Sequence, residues 1–307
     1  MQAVMLAAGQ GKRLGKYTKE NTKCMVEVAG KTLLEHAVES IKKAGIRKLV
    51  MVVGYQKEKL KHFVKEHIHG IEVIFIDNQE YENTNNIYSL FLAKEYLEND
   101  DTILLESDLI FEEDLISQLV ADPRKNMAVV AKYEHWMDGT VVLVDQKANI
   151  LEFIDKHNFS YEKIDQYHKT VNIYKLSKEF SKNQYFPFLQ AYMKAYGKNE
   201  YYEAALKAIA YLSKSGLQAF HLQNALWYEI DDGQDLRIAQ TLFSKGEDKI
   251  ANYQKSYGGY WRYNKMLDFC YLVNPYFPTD TMMEKMTSFY EKLVRAYPSG
   301  MEVQASL

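Results

Sequence analysis

The first 23 residues constrain the fold more than any other stretch. An apolar run over residues 3–8 ends in the glycines Gly9 and Gly11, and the cations Arg13 and Lys23 follow. A strand that ends in a glycine loop presents backbone N–H groups, and such loops with cations nearby bind phosphates. The sequence therefore predicts a strand, then a phosphate-binding loop, and indicates a nucleotide ligand.

The two commonest nucleotide-binding loops do not fit this stretch. A P-loop requires Gly-Lys followed by Ser or Thr, whereas Arg13 follows Gly11 and Lys12. The dinucleotide fingerprint requires a third glycine at Leu14, and the next glycine is Gly15. A different class of nucleotide site is expected.

The composition limits which classes of binding partner are expected. The 307 residues are 47% hydrophobic and 26% charged, as in ordinary globular proteins, and a net charge of −3 gives no support for nucleic acid or an anionic membrane as partner. Two cysteines, Cys24 and Cys270, are too few for a disulfide framework or a cysteine-rich metal site. Neither an 18-residue apolar run nor an N-terminal leader is visible. We expect a cytoplasmic protein, and the sequence leaves the oligomeric state open, a homodimer included.

Strand and helix patterns alternate through the first half, which favours βαβ units and a mainly parallel sheet. The predicted strands are 3–8, 48–53, 72–76 and 102–105, and the predicted helices are 33–43, 57–67 and 86–97. Ligands of such sheets collect at the carboxyl ends of the strands. The glycine loop, Gly54, residues 78–86 and Asp108 are therefore expected around one crevice.

The second half alternates like half-buried antiparallel strands. The predicted elements are strands 127–132, 140–144, 150–154, 170–176 and 227–230, and helices 188–196, 200–212 and 234–243. We expect them to form a smaller, acceptor-side part of the same domain. Because the regular pattern lapses near 245, the predicted domains are 1–248 and 249–307.

Two aspartates are candidate metal ligands. Asp108 follows the apolar strand 102–105, where a carboxylate is costly unless it is paired or bound to a cation. In the second acidic segment, Asp232 is expected to cap the following helix, which leaves Asp231 to face the crevice. Two aspartates from distant segments can hold Mg²⁺ against the phosphates of a nucleoside triphosphate, with Arg13 and Lys23 neutralising charge from the protein side.

The loop L-A-A-G-Q-G-K-R, residues 6–13, resembles the L-A-A-G-x-G-x-R signature of nucleotidyltransferases that activate sugars and small phosphorylated alcohols. Residues 83–90, N-T-N-N-I-Y-S-L, and 227–232, W-Y-E-I-D-D, extend the match to bacterial phosphocholine cytidylyltransferases and their relatives, over residues 1 to about 245. This resemblance implies a Rossmann-like nucleotidyltransferase fold, with a mixed, mainly parallel sheet and helices on both faces. It also implies CTP as donor, Arg13 and Lys23 as catalytic cations, and Mg²⁺ held by Asp108 and Asp231.

The same resemblance implies that the first loop and the 83–89 segment read cytosine and ribose. Asn85 has an alternative role as the cap of the helix that starts at Asn86. The expected nucleotide-binding residues are Leu6, Ala8, Gly9, Gly11, Gly54, Asn83, Asn85, Asn86, Ser89 and Glu106.

The acceptor is inferred from one aromatic position. At the position where phosphocholine enzymes have a tryptophan, this chain has Thr140. The nearby Trp136 is displaced in register from that position. Loss of that aromatic wall suits a primary ammonium, which needs hydrogen-bond acceptors such as Asp138 or Glu229. Residues 138–142, 168–175 and 199–203 resemble the branch that acts on 2-aminoethylphosphonate. Lys156 is the expected ligand of the acceptor phosphonate, with Lys132 and Lys175 as alternatives.

Residues 258–262, 268–269 and 274–278 resemble the opening of a PLP-dependent aminotransferase, a domain fused to cytidylyltransferases of the 2-aminoethylphosphonate branch. An unrelated helical appendage is the alternative. The sequence thus predicts Mg²⁺-dependent transfer of CMP from CTP to 2-aminoethylphosphonate, giving CMP-2-aminoethylphosphonate and pyrophosphate in phosphonate biosynthesis. Alternatives are a phosphocholine cytidylyltransferase, a sugar-1-phosphate nucleotidyltransferase, and a regulatory nucleotide-binding module without chemistry.

Overall fold

A nine-stranded sheet forms the centre of the computed structural model, which describes residues 1–212, 216–223, 225–255, 263, 274 and 276–295. Its backbone runs in the order β10-β9-β11-β6-β1-β4-β5, and β8 joins β12 to β11. The sheet strands are β1 (Gln2–Ala7), β4 (Lys48–Val53), β5 (Glu72–Asp77), β6 (Thr102–Glu106), β8 (Met127–Lys132), β9 (Val141–Val144), β10 (Ile150–Ile154), β11 (His168–Leu176) and β12 (Gln218–His221). Two short pairs lie outside it: β2 (Glu27–Val28) with β3 (Lys31–Thr32), and β7 (Leu109–Phe111) with β13 (Trp227–Glu229).

The first half of the chain builds the parallel part of the sheet. β1 pairs in parallel with β4 and β6, and β4 pairs in parallel with β5. Every residue of β1 is buried, as expected for a strand covered on both faces. The glycine loop therefore starts at the carboxyl end of a central strand, the position predicted from the sequence.

Helices cover both faces because successive residues of each central strand point to opposite sides. Ala3 and Met5 belong to one apolar core and Val4 and Leu6 to the other. The helices are α1 (Leu33–Lys43), α2 (Lys57–His67), α3 (Asn86–Leu92), α4 (Lys94–Asn99), α5 (Leu115–Ala121), α6 (Lys178–Phe180), α7 (Phe186–Tyr196), α8 (Glu203–Leu212), α9 (Gly233–Phe243), α10 (Gly246–Gln254) and α11 (Asp280–Arg295). The predicted α/β fold with helices on both faces is confirmed.

The second half adds antiparallel strands. β11 runs antiparallel to β6, β8 and β9, and its register with β8 shifts between Thr170 and Tyr174. Asn172 lies inside this irregularity with a φ of 59°, in the left-handed region that asparagine tolerates better than most residues. The local distortion turns the Asn172 side chain toward the cavity described below.

Several predicted boundaries differ from the structure, most of them by one to three residues. The predicted helix 86–97 is two helices, α3 and α4, that meet at Ala93. Regular structure also continues past 245, because α10 packs on α9 and crosses the expected boundary at 248.

The chain divides into two compact units, Met1–Tyr257 and Gly258–Leu307. In the second unit α11 is amphipathic, and Met286 and Phe289 on it are exposed. Most of the segment that resembles an aminotransferase opening, including residues 258–262 and 268–269, lies outside the described residues, so that assignment stays a prediction.

Candidate active site

The glycine loop brings Lys23 back across the end of β1. Gly11 has a φ of 60°, and a Cβ atom there would lie 2.6 Å from Cγ of Lys23. The Thr18 hydroxyl donates to the Gly11 carbonyl at 2.8 Å and fixes the turn. Gly11 is thus needed twice, for its backbone conformation and for the passage of the Lys23 side chain.

Asp108 and Asp231 meet although 123 residues separate them in the sequence. Asp108 lies between β6 and β7, Asp231 follows β13, and β7 pairs with β13. The Ile230 amide donates to the Asp108 carbonyl at 2.9 Å, which extends this pairing to the two acidic residues.

Lys23 lies between the two carboxylates. Its Nζ atom is 2.9 Å from Oδ2 of Asp108 and 2.8 Å from Oδ1 of Asp231. The Arg13 guanidinium adds a contact of 2.7 Å to the same Asp231 oxygen. The predicted catalytic cations and metal aspartates therefore form one cluster.

The charges in this cluster reinforce one another. Burial opposes the charge of Lys23, but Asp108 and Asp231 outweigh it and hold the pKa of the ammonium above its ordinary value. Burial likewise opposes the charge of Asp231, yet Lys23, Arg13 and Lys169 keep its pKa below the ordinary value. Lys23 and Asp231 are therefore both charged at neutral pH.

Asp232 caps α9, as predicted. Its carboxylate accepts from the amides of Gln234 and Asp235, and Asp235 completes a reciprocal capping box. Asp231 is left to face the cavity.

The two aspartates fit a divalent cation. Oδ1 of Asp108 is buried and has no hydrogen-bond partner among the described residues, so this carboxylate keeps an unused ligand atom. No group of three or more His, Cys, Asp or Glu side chains with metal-binding geometry occurs in the described part of the chain. One or two carboxylates completed by substrate phosphates are typical of Mg²⁺, which suits this pair.

The cluster lines a cavity of about 1390 Å³ at the carboxyl ends of β1 and β6. Pockets for one small ligand are usually about 300–1,000 Å³, so this cavity has room for two substrates. Predicted site residues that line it are Leu6, Ala8, Gly9, Gly11, Arg13, Lys23, Asn85, Asn86, Ser89, Glu106, Asp108, Asp138, Thr140, Lys156, Glu229 and Asp231.

Gly54 and Asn83, both predicted to bind nucleotide, are absent from that lining. A Cβ atom on Gly54 would lie 2.7 Å from Cβ of Tyr81 and 2.8 Å from the Ala8 carbonyl, so this glycine lets Tyr81 pack beside the loop. The Asn83 amide donates to the Glu80 carbonyl in a turn. Neither residue lines the cavity, and Gly54 allows Tyr81 to pack close to the loop.

The 78–89 segment is organised by Asn78, which the sequence prediction did not single out. Its side-chain amide donates to the hydroxyls of Thr84 and Ser89, each at 3.2 Å. Asn85 caps α3 by accepting from the Asn86 amide at 2.8 Å, the alternative role that the sequence left open. Asn85 also lines the cavity, so capping does not remove it from the site.

Asn86 connects the two sides of the cavity. Its Nδ2 donates to Oε1 of Glu106 at 3.1 Å, and its Oδ1 accepts from the Tyr202 amide at 3.0 Å. Burial, reinforced by Asp108 and Glu203, raises the pKa of Glu106 well above its ordinary value.

Lys156, the expected ligand of the acceptor phosphonate, lines the cavity at its mouth. Its side chain is 80% exposed, and its ammonium is 3.8 Å from Asp138. Lys175 is ruled out as a cavity residue, because it is buried elsewhere and donates to the carbonyls of Leu119, Val120 and Asp122. Lys132 is also absent from the lining.

Lys169 is a buried cation in the cavity lining that the sequence prediction did not include among the site residues. Its side chain is 3% exposed and lies 3.1 Å from Oε2 of Glu229, while Asn172 donates to Oε1 of the same carboxylate at 3.1 Å. A usable signal existed, since Lys169 alternates with Val171 and Ile173 on β11 and so had to face the interior.

Trp136, which the sequence places out of register with the family's tryptophan, packs outside the cavity lining. Its ring stacks on Tyr228 with centroids 5.2 Å apart, and it does not belong to the lining. Other aromatic residues do line the cavity, among them Phe153, Tyr192 and Tyr201.

Known proteins similar in sequence to this chain include nucleotidyltransferases. Residues 3–211 match the model of the MobA-like NTP transferase domain. A CMP-5'-(3-aminopropyl)phosphonate synthase of Streptomyces rubellomurinus is 29% identical over 98% of this chain and 48% of its own length. A 2-aminoethylphosphonate cytidylyltransferase of Lancefieldella rimae is 32% identical over 38% of this chain and 46% of its own. The chain therefore spans about half the length of these curated relatives.

A solved structure shares the fold. The CTP:phosphocholine cytidylyltransferase of Streptococcus pneumoniae superposes with a TM-score of 0.63 at 24% identity, over 79% of this chain and 99% of the other. In the described part of this chain no helix is both long and apolar enough to span a bilayer.

With the glycine loop, the paired aspartates and the family match together, the chain belongs to the MobA-like NTP transferase domain family and is an enzyme of the nucleotidyltransferase class.

Proposed function

We propose that this protein transfers CMP from CTP to 2-aminoethylphosphonate and releases pyrophosphate. The observation that carries the proposal is the convergence of Arg13 and Lys23 with Asp108 and Asp231 in a cavity large enough for two substrates. The relatives named for cytidylyl transfer to aminoalkylphosphonates support the choice of nucleotide and acceptor.

The reaction needs no nucleophilic side chain. An oxygen of the acceptor phosphonate attacks the α-phosphorus of CTP, a P–O bond forms, and the bond to the β,γ-pyrophosphate breaks in line with it. Catalysis is therefore positioning and electrostatic stabilisation. Gly9 and Gly11 allow the backbone to approach the phosphates, and Arg13 stabilises negative charge on them.

Asp108 and Asp231 would hold the divalent cation. Bound there, Mg²⁺ would polarise the α-phosphate and neutralise charge on the leaving pyrophosphate. Lys23 donates to both aspartates in the structure. We propose that Lys23 turns toward the triphosphate when nucleotide binds and there stabilises its negative charge.

Lys169 supplies the buried positive charge of the acceptor side. It lies on the strand next to β6 and lines the same cavity as Asp231, and its charge lowers the pKa of that aspartate. We assign it, in place of the exposed Lys156, to the phosphonate of the acceptor.

A phosphocholine acceptor is the second candidate. The aromatic residues Phe153, Tyr192 and Tyr201 in the lining favour it, since aromatic faces attract quaternary ammonium groups. The displacement of Trp136 favours the primary amine.

Pyrophosphate release tests the function directly. Wild-type protein would be assayed with CTP or UTP against 2-aminoethylphosphonate, 3-aminopropylphosphonate, phosphocholine and glucose 1-phosphate. The proposal predicts the highest kcat/KM for CTP with an aminoalkylphosphonate. Preference for UTP and the sugar phosphate would contradict it, and absence of turnover with every pair would indicate a binding module.

A further inference from the structure

Glu203 is a buried carboxyl group that the proposed mechanism has not used. It is the first residue of α8, its side chain is 8% exposed, and it lines the cavity. Its Oε2 atom is buried and has no hydrogen-bond partner among the described residues. An unpartnered carboxylate oxygen in such a place is destabilising unless a ligand supplies the missing donor.

The floor of the cavity carries more acidic than basic groups. Glu106, Glu203 and Glu229 all line it, and each lies close enough to influence the charge of a neighbour in this set. Lys169 is the buried cation beside them, and Lys23 is already paired with Asp108 and Asp231. The floor therefore holds more carboxyl groups than cations, and burial opposes the ionised form of Glu106 and Glu203 until a cationic ligand stabilises it.

The other acidic groups near the acceptor are less suited to bind a cation. Glu229 uses one oxygen for Lys169 and the other for Asn172. Asp138 is 73% exposed at the mouth, where water competes for its charge. Glu203 combines burial with an unused oxygen.

We propose that Glu203 binds the primary ammonium group of the acceptor, an inference that rests on the proposed function. A primary ammonium has three N–H donors and can satisfy Oε2, whereas a trimethylammonium has none. The position of Glu203 is fixed from behind, because the preceding Tyr202 amide donates to Asn86 and Asn86 holds Glu106. Glu203 is thus a specificity-determining residue for acceptors with a free amine.

The protonation of Glu203 agrees with this role. Burial raises the pKa of its carboxyl to about 7, with Lys169 opposing and Glu229 reinforcing the shift. Glu106, Tyr174, Tyr185 and Tyr202 also face it from the elements packed around it. An ammonium ligand favours the ionised form, so its binding is expected to strengthen as the pH rises through 7.

The test compares two acceptors that differ only in the amine. Wild type is expected to prefer 2-aminoethylphosphonate over ethylphosphonate in kcat/KM, and Glu203→Gln is expected to lower that preference by roughly 10- to 100-fold, as for loss of a hydrogen bond to a charged group. The exposed Glu179→Gln on α6 is the matched control and should keep the wild-type preference. A purely structural role of Glu203 would lower turnover of both acceptors equally, which would overturn the inference.

Four further results distinguish a failure of this inference from a failure of the proposed function. If Glu203→Gln does not fold, Glu203→Asp keeps the charge but retracts it, and an unchanged preference in that variant would overturn the inference. If Asp138→Asn loses the preference for 2-aminoethylphosphonate and the Glu203 variants keep it, the ammonium binds at the cavity mouth and the inference is overturned. Wild type that turns over no amine acceptor with CTP would remove the proposed function and this inference together, whereas turnover with an intact preference in Glu203→Gln removes the inference alone.

Discussion

The two sides of the cavity are built in different ways. The proposed nucleotide side consists of a glycine loop and cations that follow one another in the first 23 residues, and Arg13 there is 65% exposed. The proposed acceptor side consists of buried charges from separate elements, Lys169 on β11 and Glu203 at the start of α8. A triphosphate can be held by backbone amides and exposed cations, whereas a small zwitterion needs individual charges that are shielded from water.

The largest effect is expected where the two sides meet. Asp108→Asn removes one of the two proposed metal ligands, and turnover should fall about 10³-fold because metal stabilisation of the transition state is worth several kcal/mol. The rate of pyrophosphate release should fall by the same factor with 2-aminoethylphosphonate and with ethylphosphonate as the acceptor. Asp114→Asn, an exposed aspartate paired with Lys43, is the control for loss of a carboxylate. Near-wild-type turnover of Asp108→Asn would remove the metal role.

The second prediction separates the acceptor side from the nucleotide side. Lys169→Met should lower kcat/KM for 2-aminoethylphosphonate about 100-fold, since it removes one partner of a buried charge pair, with little change in KM for CTP. Lys156→Met, at the exposed mouth, should change it less than about fivefold. The reverse order of the two variants would show that the phosphonate lies at the mouth. Thermal melting of each variant checks that the fold is retained.

The third prediction concerns the nucleotide side alone. Gly11→Ala should raise KM for CTP about tenfold, because the added methyl group collides with the Lys23 side chain and displaces it. Gly30→Ala is the control, since Gly30 also has a positive φ, of 82°, but open space around its Cβ position. Equal effects of the two substitutions would show that backbone strain, and not the position of Lys23, limits binding.

The smallest effect is a pH-dependent change in stability. The pKa of Glu203 in the folded protein is about 7, above its ordinary value of 4.5, so the folded state holds a proton that the unfolded state has released between these values. The stability contributed by the neutral form is therefore lost as the pH rises from 4.5 to 7. Glu203→Gln removes this loss, and its melting temperature relative to wild type should increase between pH 5 and pH 8. A difference that is independent of pH would show that Glu203 titrates normally.

The sequence predicted the proposed nucleotide side of the cavity better than the proposed acceptor side. The glycine loop, Lys23, Asp108, Asp231 and the helix cap Asp232 follow from local patterns, and the structure brings them together as expected. Strand alternation and helix periodicity also predicted the central strands and most of the helices before residue 245. The prediction gave α3 and α4 as one helix, since helix ends depend on local packing, and it did not include α5, α10, α11 or β12.

The acceptor side was predictable only in part. Strand alternation alone predicts the same inward orientation for Lys169 and Lys175, yet Lys175 donates to three backbone carbonyls at the other end of β11. Lys169 and Glu203 lie in the segments 168–175 and 199–203 that resemble the 2-aminoethylphosphonate branch, but the resemblance assigned neither residue a role. Their roles depend on which elements pack against them, and these patterns do not contain that information.

The central claim is that one cavity joins cytidylyl transfer to an acceptor with a free amine. The most direct test is a competition in which wild-type protein, CTP and Mg²⁺ act on equal concentrations of 2-aminoethylphosphonate and phosphocholine, with the two CMP products resolved by phosphorus NMR. The account predicts that the phosphonate product predominates, in the ratio of the two kcat/KM values. Predominance of the phosphocholine product, or CTP left unchanged by both acceptors, would contradict it.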